Sequence, residues 1–299
     1  ANGQTMRKRQ SPKRKKSNAP DSVQKKTTTR KKTQPNTEPT ITYTAPVEEQ
    51  HNIIFKPNAG PQTDFLAAGE REVLFGGSAG GGKSYAMLAD PLRFMGHPAF
   101  SGLLLRHTTE ELRELIFKSQ EMYPKIWPGI KWSERKMQWT APSGARLWMS
   151  YLDREDDVLR YQGLAFSWIG FDELTQWPTP FAWNYMRSRL RSTAPDLPVY
   201  MRATTNPGGR GHHWVKKMFI DPAAYGVAFE ATDIETSEVL RYPAGHAKAG
   251  KHLFKRRFIP ARLSDNPYLA EQGDYEAMLL SLPEQQRRQL LDGDWDIKE

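Results

Sequence analysis

The 299-residue sequence contains no cysteine. That absence excludes a disulfide framework, a thiolate zinc site and catalysis through a thiol, and it points to an intracellular setting. Long apolar runs are also missing. No stretch approaches the roughly 18 residues a membrane helix needs, and the N-terminus lacks the apolar centre of a signal peptide. The expectation is a soluble protein of the cytoplasm with no membrane partner. Large apolar side chains are almost absent before Thr44, where Ser, Thr, Pro and Gln dominate. Such a segment cannot offset its ordering entropy by burial, so residues 1–50 are expected to form a disordered tail.

Acidic residues are scarce in the same place. Residues 1–32 hold twelve Lys or Arg and one acid, Asp21, a local charge of +11 within a chain of net charge +9. The other 267 residues carry 31 basic and 33 acidic side chains, or −2, so the net charge describes the tail and the remainder is nearly neutral. Two roles stay open for that tail: a solubilising or targeting extension, or an arm that grips nucleic acid through counterion release. The rest of the chain contributes most of the 38% hydrophobic residues, enough for a sizeable core.

Ordered sequence is expected from His51, beginning with Ile53–Phe55 and a helix over Gln62–Gly69. A short strand, Glu72–Phe75, runs into a glycine-rich stretch. The segment after it, Ser84–Gly96, reads as a helix disturbed at Pro91. A buried-type strand over Gly102–Leu105 and a periodic helix over Thr109–Met122 follow, with Leu112, Leu115, Ile116 and Phe117 predicted to face inward. This alternation predicts a mainly parallel sheet flanked by helices. From Ile130 to Met149, alternating aromatic and polar residues broken at Pro142–Gly144 predict an added antiparallel hairpin. Further strands are expected over Ala165–Phe171 and Val199–Ala203, with a helix over Phe181–Leu190 between them. Residues 222–262 give no clear assignment, and Pro267–Leu291 is helical in character. The expected division is a tail over 1–50, a core over 51–262 and a C-terminal helical lid or linker over 263–299.

Residues 77–84, Gly77, Ser78, Ala79, Gly80, Gly81, Gly82, Lys83 and Ser84, satisfy G-x-x-x-x-G-K-[ST] between a strand and a helix. Glycines let backbone N–H groups turn inward around a β-phosphate, and the helix N-terminus adds its positive dipole end. Lys83 is placed on the β- and γ-phosphates and Ser84 on Mg²⁺. The strand ending at Phe171 is followed by Asp172 and Glu173, where such sheets deliver ligand-binding residues. Asp172 is read as the second Mg²⁺ residue and Glu173 as the base that activates the attacking water, which favours ATP hydrolysis over transfer to a small acceptor. The fold class that follows is an α/β P-loop NTPase of the additional-strand catalytic-glutamate type. Thr204, Thr205 and Asn206 end another strand and are candidates for sensing the γ-phosphate. Gln62 is a candidate reader of an adenine edge. His212 and His213 lack acidic or thiol partners at metal-ligand spacing, so no zinc is expected.

Pro61 and Gln62 ahead of the phosphate loop, GGSAGGGKS, a strand ending in LLLR, RYQG before FDE, TTNPGG and a terminal SLPEQQRRQLLDGDW together resemble the large terminase subunit of tailed bacteriophages. The resemblance implies a DNA-packaging ATPase: a homo-oligomeric ring that pushes double-stranded DNA into a procapsid, with the portal protein and a small terminase subunit as partners, in the host cytoplasm. It also implies that Thr204, Thr205 and Asn206 couple hydrolysis to movement, and that an arginine from a neighbour completes the site. Arg160 is the first choice for that arginine and Arg106 the second. Arg187, Arg189, Arg191, Arg210, Lys216 and Lys217 are candidate DNA contacts, through phosphates rather than bases. The family's large subunits continue into a nuclease domain that is not expected here. A helicase-like or other nucleic-acid-remodelling ATPase shares both nucleotide motifs and is the alternative.

Overall fold

The computed structural model describes residues 56–297 apart from Gly81 and Gln272. The expectations for the tail and for Ile53–Phe55 lie outside the described residues. In chain order the first elements are α1 (Pro61–Ala67), β1 (Glu72–Gly77), α2 (Lys83–Ala89), β2 (Ser101–Arg106) and α3 (Thr109–Ile126). Then come β3 (Lys131–Ser133), β4 (Gln138–Thr140), β5 (Arg146–Tyr151), β6 (Trp168–Phe171), α4 (Phe181–Arg187), β7 (Tyr200–Thr205) and the short α5 (His212–Val215). The chain continues through β8 (Phe229–Glu230), β9 (Lys255–Ala261), α6 (Pro267–Ala270), α7 (Asp274–Leu280) and α8 (Glu284–Arg287).

Among the described residues the strands form one nine-stranded sheet in the order β3-β4-β5-β2-β6-β7-β1-β9-β8. The six strands that run from β5 to β9 in this order pair in parallel, while β3–β4, β4–β5 and β8–β9 are antiparallel. β7 lies between β1 and β6, so it is the additional strand that separates the phosphate-loop strand from the acidic one. Strand side chains alternate between the sheet's faces. Leu103, Leu105, Ile169 and Phe171 pack with α4 and α5 residues, whereas Leu104, Trp168, Leu147 and Met149 pack with α2 and α3 residues. Burial on both faces explains why β1 and β7 are buried at every position rather than alternately.

Several local expectations are refined by the structure. α2 gives way to a 3₁₀ turn over Asp90–Phe94, where Pro91 removes a backbone donor. α3 starts on a reciprocal Thr108–Glu111 cap and runs four residues past Met122. Phe117 does not face inward and is 62% exposed. The buried stripe follows Leu112, Leu115, Ile116, Ser119 and Tyr123, and Phe117 lies one position, about 100°, off it. The expected hairpin is a three-stranded meander whose third strand, β5, turns at 142–144 to join β2 in parallel. The unassigned 222–262 region supplies β9, the partner on the other side of β1.

β9 was illegible because it carries a buried charge. Glu72 at the start of β1 is fully buried and bonded by Arg187, Arg256 and the Trp183 indole. Burial pushes the Glu72 carboxyl up, but the two guanidinium charges outweigh this and hold it below the ordinary carboxylate range. Arg187, a candidate DNA contact, is therefore a structural partner of Glu72 at the start of β1, away from the phosphate loop. Arg189 and Arg191 bond Phe166 through their backbones, just before β6 begins, so they also lie at the opposite end of the sheet from the loop. The physical reason is chain direction: Phe166 precedes β6 and Glu72 opens β1, and the site follows the ends of these strands.

Candidate nucleotide site

The turn out of β1 requires glycine. Gly77 has φ +141°, and a Cβ there would collide with the Ala261 carbonyl. The next residues are fixed from several directions. The Ser78 N–H donates to Ala261 O at 2.8 Å and the Ala79 N–H to Leu290 O at 2.6 Å. The Asn266 side-chain amide donates to Gly80 O at 2.7 Å, and Gln62 Nε2 donates to Gly82 O at 3.0 Å. Gln62 is itself held by the Asn58 N–H at 2.6 Å, so the structure places its amide against the phosphate loop. Gly81 lies outside the described residues. Lys83 opens α2, is buried, and donates to Ser78 O at 2.6 Å. Burial lowers its proton affinity, against the opposing pull of Glu173 and Asp172.

Asp172 is completely buried, and its N–H is paired to Leu105 O. Oδ1 accepts the Thr204 hydroxyl. Oδ2 sits 3.1 Å from Arg106 Nη1, yet neither atom is in hydrogen-bond alignment, so the contact is a charge pair with an unmatched acceptor. Glu173 adopts the left-handed conformation, φ 60° and ψ 59°, which for a non-glycine residue stores about 1–3 kcal/mol and concentrates at functional sites. Its N–H donates to Thr204 Oγ1 at 3.3 Å, and its carboxylate is 4.0 Å from Arg106. Burial first and the Asp172 charge second raise its proton affinity, with Lys83 and Arg106 pulling the other way. Thr205 shares a 2.8 Å hydroxyl contact with Thr175, so the ends of β6 and β7 are stitched together by Thr204, Thr205 and Thr175. A cavity of about 260 Å³ gathers Lys83, Ser84, Glu173 and Asn206 on one wall system. Asn206 Oδ1 is buried without a hydrogen bond.

Of the remaining sequence candidates, Arg106 lies at the site and the others fall elsewhere. Arg106, the second choice for a neighbour's arginine, is buried beside Asp172 of its own chain. Arg160 is exposed on a 3₁₀ segment over Glu155–Tyr161 and donates to Tyr151 O at 2.5 Å. Lys216 is paired with Asp221 and Asp296, while Arg210 and Lys217 are exposed.

The sequence expectation for 263–299, a lid or linker, named none of the side chains by which this segment makes contact. His212 Nδ1 accepts from the Gly208 N–H at 2.8 Å, its Nε2 lies 3.1 Å from Trp295 O, and its ring stacks on the Trp295 indole. Through this contact and those of Leu290 and Asn266, the 263–297 segment touches both the phosphate loop and the turn after Asn206.

A glycine-rich loop and Glu173, at an acidic strand end, facing one cavity across an added strand define a phosphate-loop nucleoside triphosphatase fold. More narrowly, residues 74–298 match the family described as terminase large subunit, T4likevirus-type, N-terminal, and the chain belongs to that family. Two solved structures share the fold. The large terminase of a thermophilic bacteriophage, in complex with ADP, aligns at TM-score 0.56 and 17% identity, over 80% of this chain and 54% of that one. The Thermus phage P74-26 large terminase ATPase domain aligns at TM-score 0.51 and 13% identity, over 81% of this chain and 94% of that one. This chain therefore spans about half the length of the ADP-bound terminase. No curated protein matches significantly. No helix among the described residues is long and apolar enough to cross a membrane.

Proposed function

We propose that this chain is the ATP-hydrolysing motor domain of a terminase, driving double-stranded viral DNA into a procapsid. Family membership supports the reading, and one observation carries it: Glu173, held in a strained backbone conformation, faces the same cavity as Lys83. The nucleotide is ATP. Lys83 and the loop N–H groups bind its phosphates, and Glu173 takes a proton from the attacking water. Mg²⁺ fits the residues present, because Asp172 Oδ2 is a buried acceptor without a hydrogen bond and Ser84 lines the cavity. When bound it would be held by Ser84 and Asp172 and would neutralise charge on the phosphate oxygens. Thr204 fixes the Asp172 carboxylate and the Glu173 backbone together, so Thr204, Thr205 and Asn206 can relay a change at the γ-phosphate into β7.

The active form is a homo-oligomeric ring, docked on the procapsid in the host cytoplasm, with portal protein and small terminase subunit as partners. Arg160 reaches the neighbour's site, for which its exposure suits it. Residues 263–297 act as a lid over the loop. Arg210 and Lys217 contact DNA phosphates. The test is steady-state ATP hydrolysis by wild type and Glu173→Gln: turnover falls about 100-fold or more while ATP still binds. Equal rates would remove Glu173 as the base.

A further inference from the structure

The cavity that holds Lys83 and Glu173 adjoins a second and larger one, of about 520 Å³. Gly82, Tyr85, Asn266 and Leu269 line both, so the two share a wall at the last glycine of the phosphate loop. A nucleoside triphosphate bound with its phosphates in the first has this second space as the place for its base. The chemistry of the walls suits a flat heteroaromatic ring. Asn58 and Gln62 supply amide groups at one edge, and Tyr85, Tyr268 and Leu269 supply apolar surface.

Tyr268 is the unusual member. It is 74% exposed, more than any other large apolar or aromatic side chain among the described residues. A large ring left in water beside a cavity gains most from being covered. Its position is nonetheless anchored, because Asn266, two residues earlier, donates to Gly80 O and ties this part of the chain to the phosphate loop.

We propose that Tyr268 is the base-stacking residue of the nucleotide site, contributed with Asn266 and Leu269 by the C-terminal segment to a pocket otherwise built from α1, α2 and the residues just before them. This rests on the nucleotide reading above and adds a specificity contact to it. Stacking of a base on an aromatic side chain gives a discrimination on the order of tenfold. It needs only a ring, so the tyrosine hydroxyl is dispensable.

The experiment measures equilibrium binding of ATP and of inorganic tripolyphosphate, each with Mg²⁺, to the full chain as wild type, Tyr268→Ala and Tyr268→Phe. Tyr268→Ala is expected to weaken ATP about tenfold and leave tripolyphosphate unchanged. Tyr268→Phe is expected to retain wild-type affinity for both. Unchanged ATP affinity in Tyr268→Ala overturns the proposal, as does an equal loss of ATP and tripolyphosphate. If wild type binds neither, the nucleotide reading itself falls and takes this inference with it, a result distinct from either of those.

Discussion

Two arginines compete for the charge-neutralising role, and the structure separates them by measurable amounts. Arg106 Nη1 lies 3.1 Å from Asp172 and 4.0 Å from Glu173. At an effective dielectric of about 20 these distances correspond to gross attractions of about 5 and 4 kcal/mol. Desolvating the guanidinium offsets much of that, but removing one partner of a buried pair strands the other, at about 3–5 kcal/mol. Because the Arg106–Asp172 contact lacks hydrogen-bond alignment, the low end applies, about 3 kcal/mol for Arg106→Gln. For a domain of this size that is a fall in Tm of roughly 6–12 °C. Arg160 is exposed, so Arg160→Gln should stay within about 0.5 kcal/mol of wild type. The two also differ in mixing. With Lys83→Ala subunits, Arg160→Gln subunits should regain hydrolysis, because about a quarter of neighbour pairs in a random equal mixture combine an intact loop with an intact arginine. We propose that Arg106 and Lys83 serve one site in one chain, so Arg106→Gln should regain nothing. The assays are thermal denaturation of each variant and ATP turnover across mixing ratios. Recovery of Arg106→Gln by Lys83→Ala, or equal Tm for the two arginine variants, would refute the cis assignment.

The same reasoning extends to two positions away from the nucleotide. Glu72→Gln should destabilise by about 3–5 kcal/mol in urea titrations at pH 7, because it leaves the buried Arg256 without its carboxylate. Glu72 has a lowered folded-state pKa, so its contribution is fully present above the unfolded carboxylate value of 4.5 and is lost as pH falls through the lower folded value. Wild-type stability should therefore drop below about pH 4.5 more steeply than that of Glu72→Gln, and parallel curves would refute the assignment. Trp295→Ala removes an indole 1% exposed that stacks on His212 and meets Phe258 edge-on. It should lower unfolding stability by about 3–5 kcal/mol, and a change under about 1 kcal/mol would mean the C-terminal segment is not part of the core.

Local chemistry was written plainly in the sequence. The glycine spacing of residues 77–84, the apolar strand ending in Asp172 and Glu173, and the stripe Leu112, Leu115, Ile116 each follow from one element's own backbone requirement, so a window of a few residues suffices to see them. Folding decided what depends on pairing between distant segments. β9 reads as basic because Arg256 is buried only by virtue of Glu72, 184 positions away. Arg106 and Arg160 look alike as strand-proximal arginines, and only the sheet order puts β2 beside β6 and so places Arg106 against Asp172. Chain direction, which no short window shows, puts the candidate DNA contacts Arg187, Arg189 and Arg191 at the end of the sheet away from the phosphate loop. A lid or linker over 263–299 was legible, but its contacts at the phosphate loop and the following turn, through Leu290, Asn266 and Trp295, were not, because a backbone carbonyl or a buried indole acquires its role from what packs against it.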